Sequence, residues 1–331
     1  MKTIFLIVLI VVFTLPISGC IDHGDKEFEE NIDYRQDMRY FVQDISSYSK
    51  TMNPDFIVVT QNGHQLLTTN GETDGPIKEQ YLRSIDGIGR EDLFFGYDSY
   101  NMPTPTSETY EMTLFMDIAR NNGIKVLITD YCSKKEYIDS SYLQNTEKGY
   151  ISFAANSRDL NSIPEYPAKP YNVNSKNITS LASAENFLYL IEPGSFHNKT
   201  DFLESIQETN YDIVIIDLFY EDVALTKEEV DSLKIKDNGA SRLVIAYMSI
   251  GEAEDYRYYW KSEWESNPPS WMEEENPDWE GNFKVQYWEK EWQDLIYGES
   301  DSYLDKIIHA GFNGVYLDII DAFEYFEERE L

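Results

Sequence analysis

The sequence predicts an α/β protein, a closed (β/α)8 barrel of the TIM type, on three observations. Eight short apolar runs recur along the chain, helix-like or polar segments separate most of them, and glycine-containing turns mark the helix ends. The runs cover 56–60, 86–89 with 93–96, 125–130, 150–154, 187–191, 212–217, 243–250 and 314–320. Helical segments are expected over 36–49, 109–122, 202–209, 227–234 and 290–310. Asn122-Gly123, Asn238-Gly239 and Ala310-Gly311 stand where a helix must stop before the next strand. Alternation of this kind builds a parallel sheet, and eight repeats are enough to close it. An open doubly wound sheet with extra strands is the alternative.

Ahead of the barrel, residues 1–19 have the form of an export signal. Lys2 gives a positive start, an apolar run broken by Thr14 and Pro16 follows, and small Ser18 and Gly19 precede Cys20. The ending Ile17-Ser18-Gly19-Cys20 resembles a lipobox. It would make Cys20 the lipidated first residue of the mature protein, held to the outer face of the cytoplasmic membrane. A plain cleaved signal and an uncleaved anchor are the alternatives. Residues 20–33 then read as a tether and 34–331 as one barrel domain. Two stretches depart from its repeat. Residues 156–186 carry Pro164, Pro167 and Pro170 among Asn and Ser and read as a long connector. Residues 252–292 hold all six tryptophans, at 260, 264, 271, 279, 288 and 292, in an aromatic insertion at the exit of one strand.

Composition narrows the chemistry. Sixty acidic against 27 basic residues give a formal charge of −33, which excludes a nucleic-acid partner and would draw a cationic substrate. The same charge also serves simple solubility. Gly87-Ile-Gly89 lacks the third glycine of a phosphate cradle, and the chain has no Walker lysine and no nucleophile elbow. His23, His64, His197 and His309 have no metal-ligand spacing, so no metal and no cofactor are expected. With Cys20 lipidated, Cys132 has no partner for a disulfide. Asn177 and Asn198 head possible glycan tripeptides.

The strand ends are polar. Gln61 and Asn62, Glu91, Asp130 and Tyr131, Asp217, Ser249, and Asp318 with Asp321 all stand at or just beyond an apolar run. A buried strand ends on a charge at a cost unless the charge has a partner. Convergence of several on one rim is how a (β/α)8 active site is built. The run 242–260, RLVIAYMSIGEAEDYRYYW, is the densest case: Tyr247 and Ser249 precede Gly251, and Glu252, Glu254, Tyr256, Arg257 and Trp260 crowd its exit. Helix caps and a solvated acidic turn are the plainer readings. Paired carboxylates among aromatics, with no cofactor motif, point to glycoside hydrolysis, with Tyr and Trp faces stacking on sugar rings. Some tryptophans would instead form a satellite core under the insertion.

The segments YMSIGEAEDYRYYW, NPDWEGNFKVQYW, EWQDLIYG and AGFNGVYLDIIDAFEYFEE, with PDFIVVTQNG and IDGIGREDLFFG, resemble glycoside hydrolase family 114. This is the barrel family related to endo-α-1,4-polygalactosaminidases, and some relatives carry a cysteinyl-tRNA synthetase-like label. That label finds no support here, because neither signature of such a synthetase is present. The resemblance covers nearly all of the chain beyond residue 34. It implies a secreted (β/α)8 hydrolase of galactosamine-containing polysaccharides, with Asp318 as candidate nucleophile and Glu91 as candidate acid/base. The Glu252–Arg257 motif departs from that of the characterised polygalactosaminidases. Segment order also differs: the half that comes second in the relatives comes first here. A circular permutation is implied, with 156–186 joining the ancestral ends.

The expectation is therefore a lipid-anchored extracellular glycosidase acting on a polysaccharide, with an amino-sugar-rich polymer as the candidate. Asp217, Tyr247, Ser249, Glu252, Glu254, Tyr256, Arg257, Trp260, Gln61, Asn62, Asp130, Tyr131 and Asp321 would bind substrate around the Glu91 and Asp318 pair. A non-catalytic surface carbohydrate-binding lipoprotein on the same barrel is the alternative. A structural surface protein, with its tryptophans buried and no cleft, is a third class.

Overall fold

The computed structural model describes residues 32–329, in which the compact unit starts at Asp33. The segment 1–19, expected from the sequence to be an export signal, and Cys20 lie outside the described residues. The barrel strands, numbered in chain order, are β1 Ile57–Gln61, β2 Gly87–Glu91, β3 Lys125–Tyr131, β4 Ile151–Ala155, β5 Phe187–Tyr189, β6 Ile213–Asp217, β7 Leu243–Ser249 and β8 Gly314–Asp318. They pair in parallel in the order β4-β3-β2-β1-β8-β7-β6-β5. The remaining seam, between β4 and β5, is closed by side chains, with the Phe153 and Phe187 rings 5.9 Å apart. The strands are apolar on both faces because both are covered, by the barrel interior and by the helices.

The helices are α1 Tyr34–Met52, α2 Glu79–Ser84, α3 Thr106–Asn121, α4 Lys135–Lys148, α5 Lys199–Gln207, α6 Lys227–Leu233, α7 Lys290–Ile296, α8 Tyr303–His309 and α9 Phe323–Arg329. Helix α1 forms where it does because Asp33 accepts the Gln36 amide at 3.0 Å, and Met38, Phe41, Val42 and Ile45 then fall on one fully buried face. Burying four such side chains stabilises the domain by roughly 1.5–3 kcal/mol each. Helix α6 begins in a capping box between Thr226 and Glu229. The first and last described helices meet: Tyr34 stacks on Phe326 at 5.4 Å, and Arg35 holds Glu327 through two hydrogen bonds of 2.8 Å.

Two expectations are corrected. The second strand is Gly87–Glu91, and residues 93–96 form a loop whose Phe94 and Phe95 amides donate to Asp130. The helix expected over 290–310 is two helices. Gly298 to Ser302 are five consecutive small or polar residues with no apolar side chain to bury, and the helix breaks there. The aromatic insertion is a small antiparallel sheet of 252–254, 282–285 and 272–275. Trp264, Trp271 and Trp292 are buried under it, and the Trp292 indole donates to the Ile250 carbonyl at 2.9 Å.

Candidate active site

Glu91 ends β2 and Asp318 ends β8, on either side of β1. Three neutral donors converge on Glu91: Gln61 Nε2 at 2.8 Å, Asn62 Nδ2 at 3.0 Å, and the Tyr131 hydroxyl. Asp318 accepts from the Tyr247 hydroxyl at 2.7 Å and from the Ile319 amide at 2.8 Å. Across the barrel, the Tyr189 hydroxyl of β5 donates to Gln61 Oε1 at 2.8 Å and so fixes which end of that amide faces Glu91. Tyr189 packs on Tyr316, whose hydroxyl lies against Gly89. A Cβ at Gly89 would stand 1.8 Å from that oxygen, so this glycine belongs to the barrel interior and not to a phosphate cradle.

The strand exits are strained. Asn62, Asp92 and Ile319, which follow Gln61, Glu91 and Asp318, have φ of 60°, 58° and 57°. For Ile319, a β-branched residue, that conformation is an outlier which its surroundings must impose. Gly251 helps impose it: a Cβ there would lie 2.1 Å from the Ile319 carbonyl oxygen.

Burial, and after it the Glu91 charge, raises Asp318 well above the usual carboxylate range, with the Tyr247 hydrogen bond opposing. Asp321 is pushed up to about 6 by burial and then by Glu324, against the Arg90 charge. Burial raises Asp92 to about 7 despite its ion pair with Arg158. His64 is lowered to about 3 by burial and then by Arg90, so it is neutral.

Two clefts open on this rim. One, of about 530 Å³, lies by the exits of β6 and β7, where Phe219, Tyr256, Tyr258 and Trp260 meet Glu221, Asp222 and Asp255. The other, of about 320 Å³, lies by the exits of β1, β2 and β8 and includes Asn62, His64, Arg90, Glu108, Asp321 and Glu324. Among the described residues no group of His, Cys, Asp and Glu side chains could hold a metal ion.

The structure brings Gln61, Asn62, Tyr131 and Tyr247 directly onto the two carboxyls. Ser249 stands beside Asp318 in register, its buried hydroxyl donating to the Glu252 carbonyl at 3.4 Å. Asp217, Arg257 and Glu254 form a chain of ion pairs at 2.6 and 2.5 Å, and Tyr256 donates to Glu254 at 2.6 Å. Arg257 lines the first cleft with its charge already matched, and Tyr256 and Trp260 form its aromatic wall. Asp321 lines the second cleft. Two residues fall elsewhere. Asp130 points out of the barrel, buried against Ser141 and Asn145 of α4, because it neighbours inward-facing Tyr131 and successive strand residues alternate faces. Glu252 is fully buried and holds the insertion together through Lys284 at 2.5 Å and Asn276 at 2.7 Å.

Sequence reasoning missed Tyr189, Tyr316, Asp92, Arg90 and Arg158. Arg90 and Asp92 flank Glu91 and were within reach of it. The two tyrosines sit inside apolar runs, and Arg158 sits in a stretch with no periodicity.

Residues 174–330 match the family model described as glycoside-hydrolase family GH114. The chain is 42% identical over 159 residues to an uncharacterised protein of Methanocaldococcus jannaschii, covering 47% of this chain and 43% of that protein. An uncharacterised Thermotoga maritima protein is 38% identical over 44% of this chain and 41% of its own length. A third, from Deinococcus radiodurans, is 35% identical over 38% and 39%. The chain thus spans about two fifths of the length of these relatives. Over residues 174–330, and on an eight-stranded parallel barrel, the chain is similar to glycoside-hydrolase family GH114.

Proposed function

We propose that the protein is a glycoside hydrolase that cleaves within a polysaccharide, with Glu91 and Asp318 as its carboxyl pair and an amino-sugar polymer as substrate. The observation that carries this reading is the convergence of the two carboxyls, each held by a tyrosine hydroxyl and coupled through charge. One carboxyl protonates the leaving oxygen while the other attacks the anomeric carbon or activates water. The family resemblance gives Asp318 the attack and Glu91 the proton. The raised proton affinity of Asp318 favours the exchange of those roles, with Asp318 as acid and Glu91 as base or nucleophile. The first cleft supports a cationic sugar: its rings offer stacking faces, and Glu221, Asp222 and Asp255 suit ammonium groups.

Hydrolysis of a partly deacetylated amino-sugar polymer, read by product mass, tests the reading. Glu91→Gln and Asp318→Asn should each lower kcat by about 10²–10⁴. An aryl glycoside with a good leaving group should restore turnover to Asp318→Asn only; rescue of Glu91→Gln alone would return the proton to Glu91. Binding of the polymer without products would instead favour a carbohydrate-binding lipoprotein.

Export and lipidation of Cys20 are part of the proposal, and an unmodified Cys20 in the mature protein's N-terminal peptide would refute the anchor. The permuted order is proposed as well. It is supported by the meeting of α1 with α9, and by a family match that begins at residue 174, inside the connector.

A further inference from the structure

Arg158 lies in the connector that follows β4, and it reaches back to the loop after Glu91. Its Nη2 donates to Asp92 Oδ1 at 2.8 Å and to the Gly96 carbonyl at 2.5 Å. The guanidinium carbon stands 4.3 Å above the centre of the Tyr131 ring. Tyr131 is the residue whose hydroxyl donates to Glu91, and Asp92 is the left-handed residue that carries the chain out of Glu91. Asp92 is also tied through its backbone, its amide donating to Thr129 at 2.9 Å and its carbonyl accepting from the Thr104 hydroxyl at 2.7 Å. Gly96 closes the loop against it, since a Cβ there would meet Asp92 Oδ1 at 2.1 Å.

We infer that Arg158 is a positioning residue for Glu91, clamping the turn after the carboxylate and the ring that hydrogen-bonds it. The connector thereby contributes to the site. Planarity matters for this role, because one guanidinium must hydrogen-bond a carboxylate and a carbonyl at its edge while its face covers a ring. A lysine supplies the charge and not the geometry. Without a cation, the Asp92 carboxyl is left buried beside Glu91 and Asp130, and Tyr131 loses its roof. Glu91 would keep Gln61 and Asn62 as donors but lose the fixed position of the third.

The kinetic consequence rests on the hydrolase reading; the geometric one does not. Carboxyl-carbon NMR of wild type, Arg158→Ala and Arg158→Lys tests the geometry, with thermal melting to verify folding. In Arg158→Ala the Asp92 midpoint should rise by about one pH unit as its ion pair is lost. The Glu91 carboxyl resonance should shift and broaden as Tyr131 loosens. On an amino-sugar polymer kcat should fall by about 10- to 100-fold with KM little changed, and Arg158→Lys should restore the Asp92 midpoint more than kcat. A displaced Asp92 midpoint with an unmoved Glu91 resonance would make Arg158 a local structural residue and overturn the inference, as would no change at Asp92. If wild type cleaves no polymer, the hydrolase reading fails while the Glu91 resonance still decides the role of Arg158. If Arg158→Ala does not fold, Arg158→Gln carries the same comparison.

Discussion

Ile319 is held in a conformation that isoleucine avoids, and its amide is one of the two donors to Asp318. Gly251 lies directly against the Ile319 carbonyl, so the two residues form one device at the exits of β7 and β8. Gly251→Ala should push that turn aside, lower stability by about 1–3 kcal/mol and reduce kcat, measured by thermal melting and turnover. The glycine was legible in the sequence as the end of an apolar run. Its reason was not, because the contact comes from a strand more than sixty residues away. Asp130 and Tyr131 make the same point in reverse. Both were read as rim residues because a strand buried on both faces has no polar alternation to tell inward from outward. Glu91 and Asp318 were legible only through resemblance to a family, since many other strand ends here carry a carboxylate.

At the scale of elements, apolar runs located the strands to within a residue or two, apart from β2. The LFF in 93–96 was the stronger apolar signal there, yet it packs outside the sheet while GIGRE pairs. The connector, 156–186, gave no periodicity and contains no helix or strand beyond a short turn at 181–183. Its packing explains why it is nonetheless ordered. At its far end Asn174 donates to Asp212 at 2.9 Å, beside a fully buried ion pair of Asp212 with Lys236 at 2.6 Å. Lys236→Met should therefore cost about 3–5 kcal/mol by leaving a buried charge uncompensated. The double variant with Asp212→Asn should recover part of that loss, as a denaturation cycle would read. The insertion, 252–292, was expected to supply substrate contacts and a satellite core. Trp264, Trp271 and Trp292 are buried as a satellite core, and Tyr256 and Trp260 line the first cleft.

The whole molecule combines a nearly closed parallel barrel with a formal charge of −33. Asp92 and Asp321 titrate near 7 and 6 in the folded state, above the ordinary aspartate value, and Asp318 is raised as well. The native state therefore holds protons that the unfolded chain has released. Their contribution to stability is full below the ordinary value of 3.8 and is lost as pH rises through 6 to 7. Self-repulsion of the acidic surface acts in the same direction. The melting temperature should fall between about pH 5 and about pH 8, and added salt should recover part of the loss at the higher pH.

The fold class was legible from alternation alone, whereas the clefts depend on which loops meet across the rim and no single segment encodes that. The central claim is that Glu91 and Asp318 act as one catalytic pair. Its most direct test is the rate of cleavage of a partly deacetylated amino-sugar polymer by wild type, Glu91→Gln and Asp318→Asn, with folding verified for each. Product formation by wild type and a loss of about 10²–10⁴ in kcat for both variants is the predicted result. Undiminished cleavage by either folded variant would contradict it.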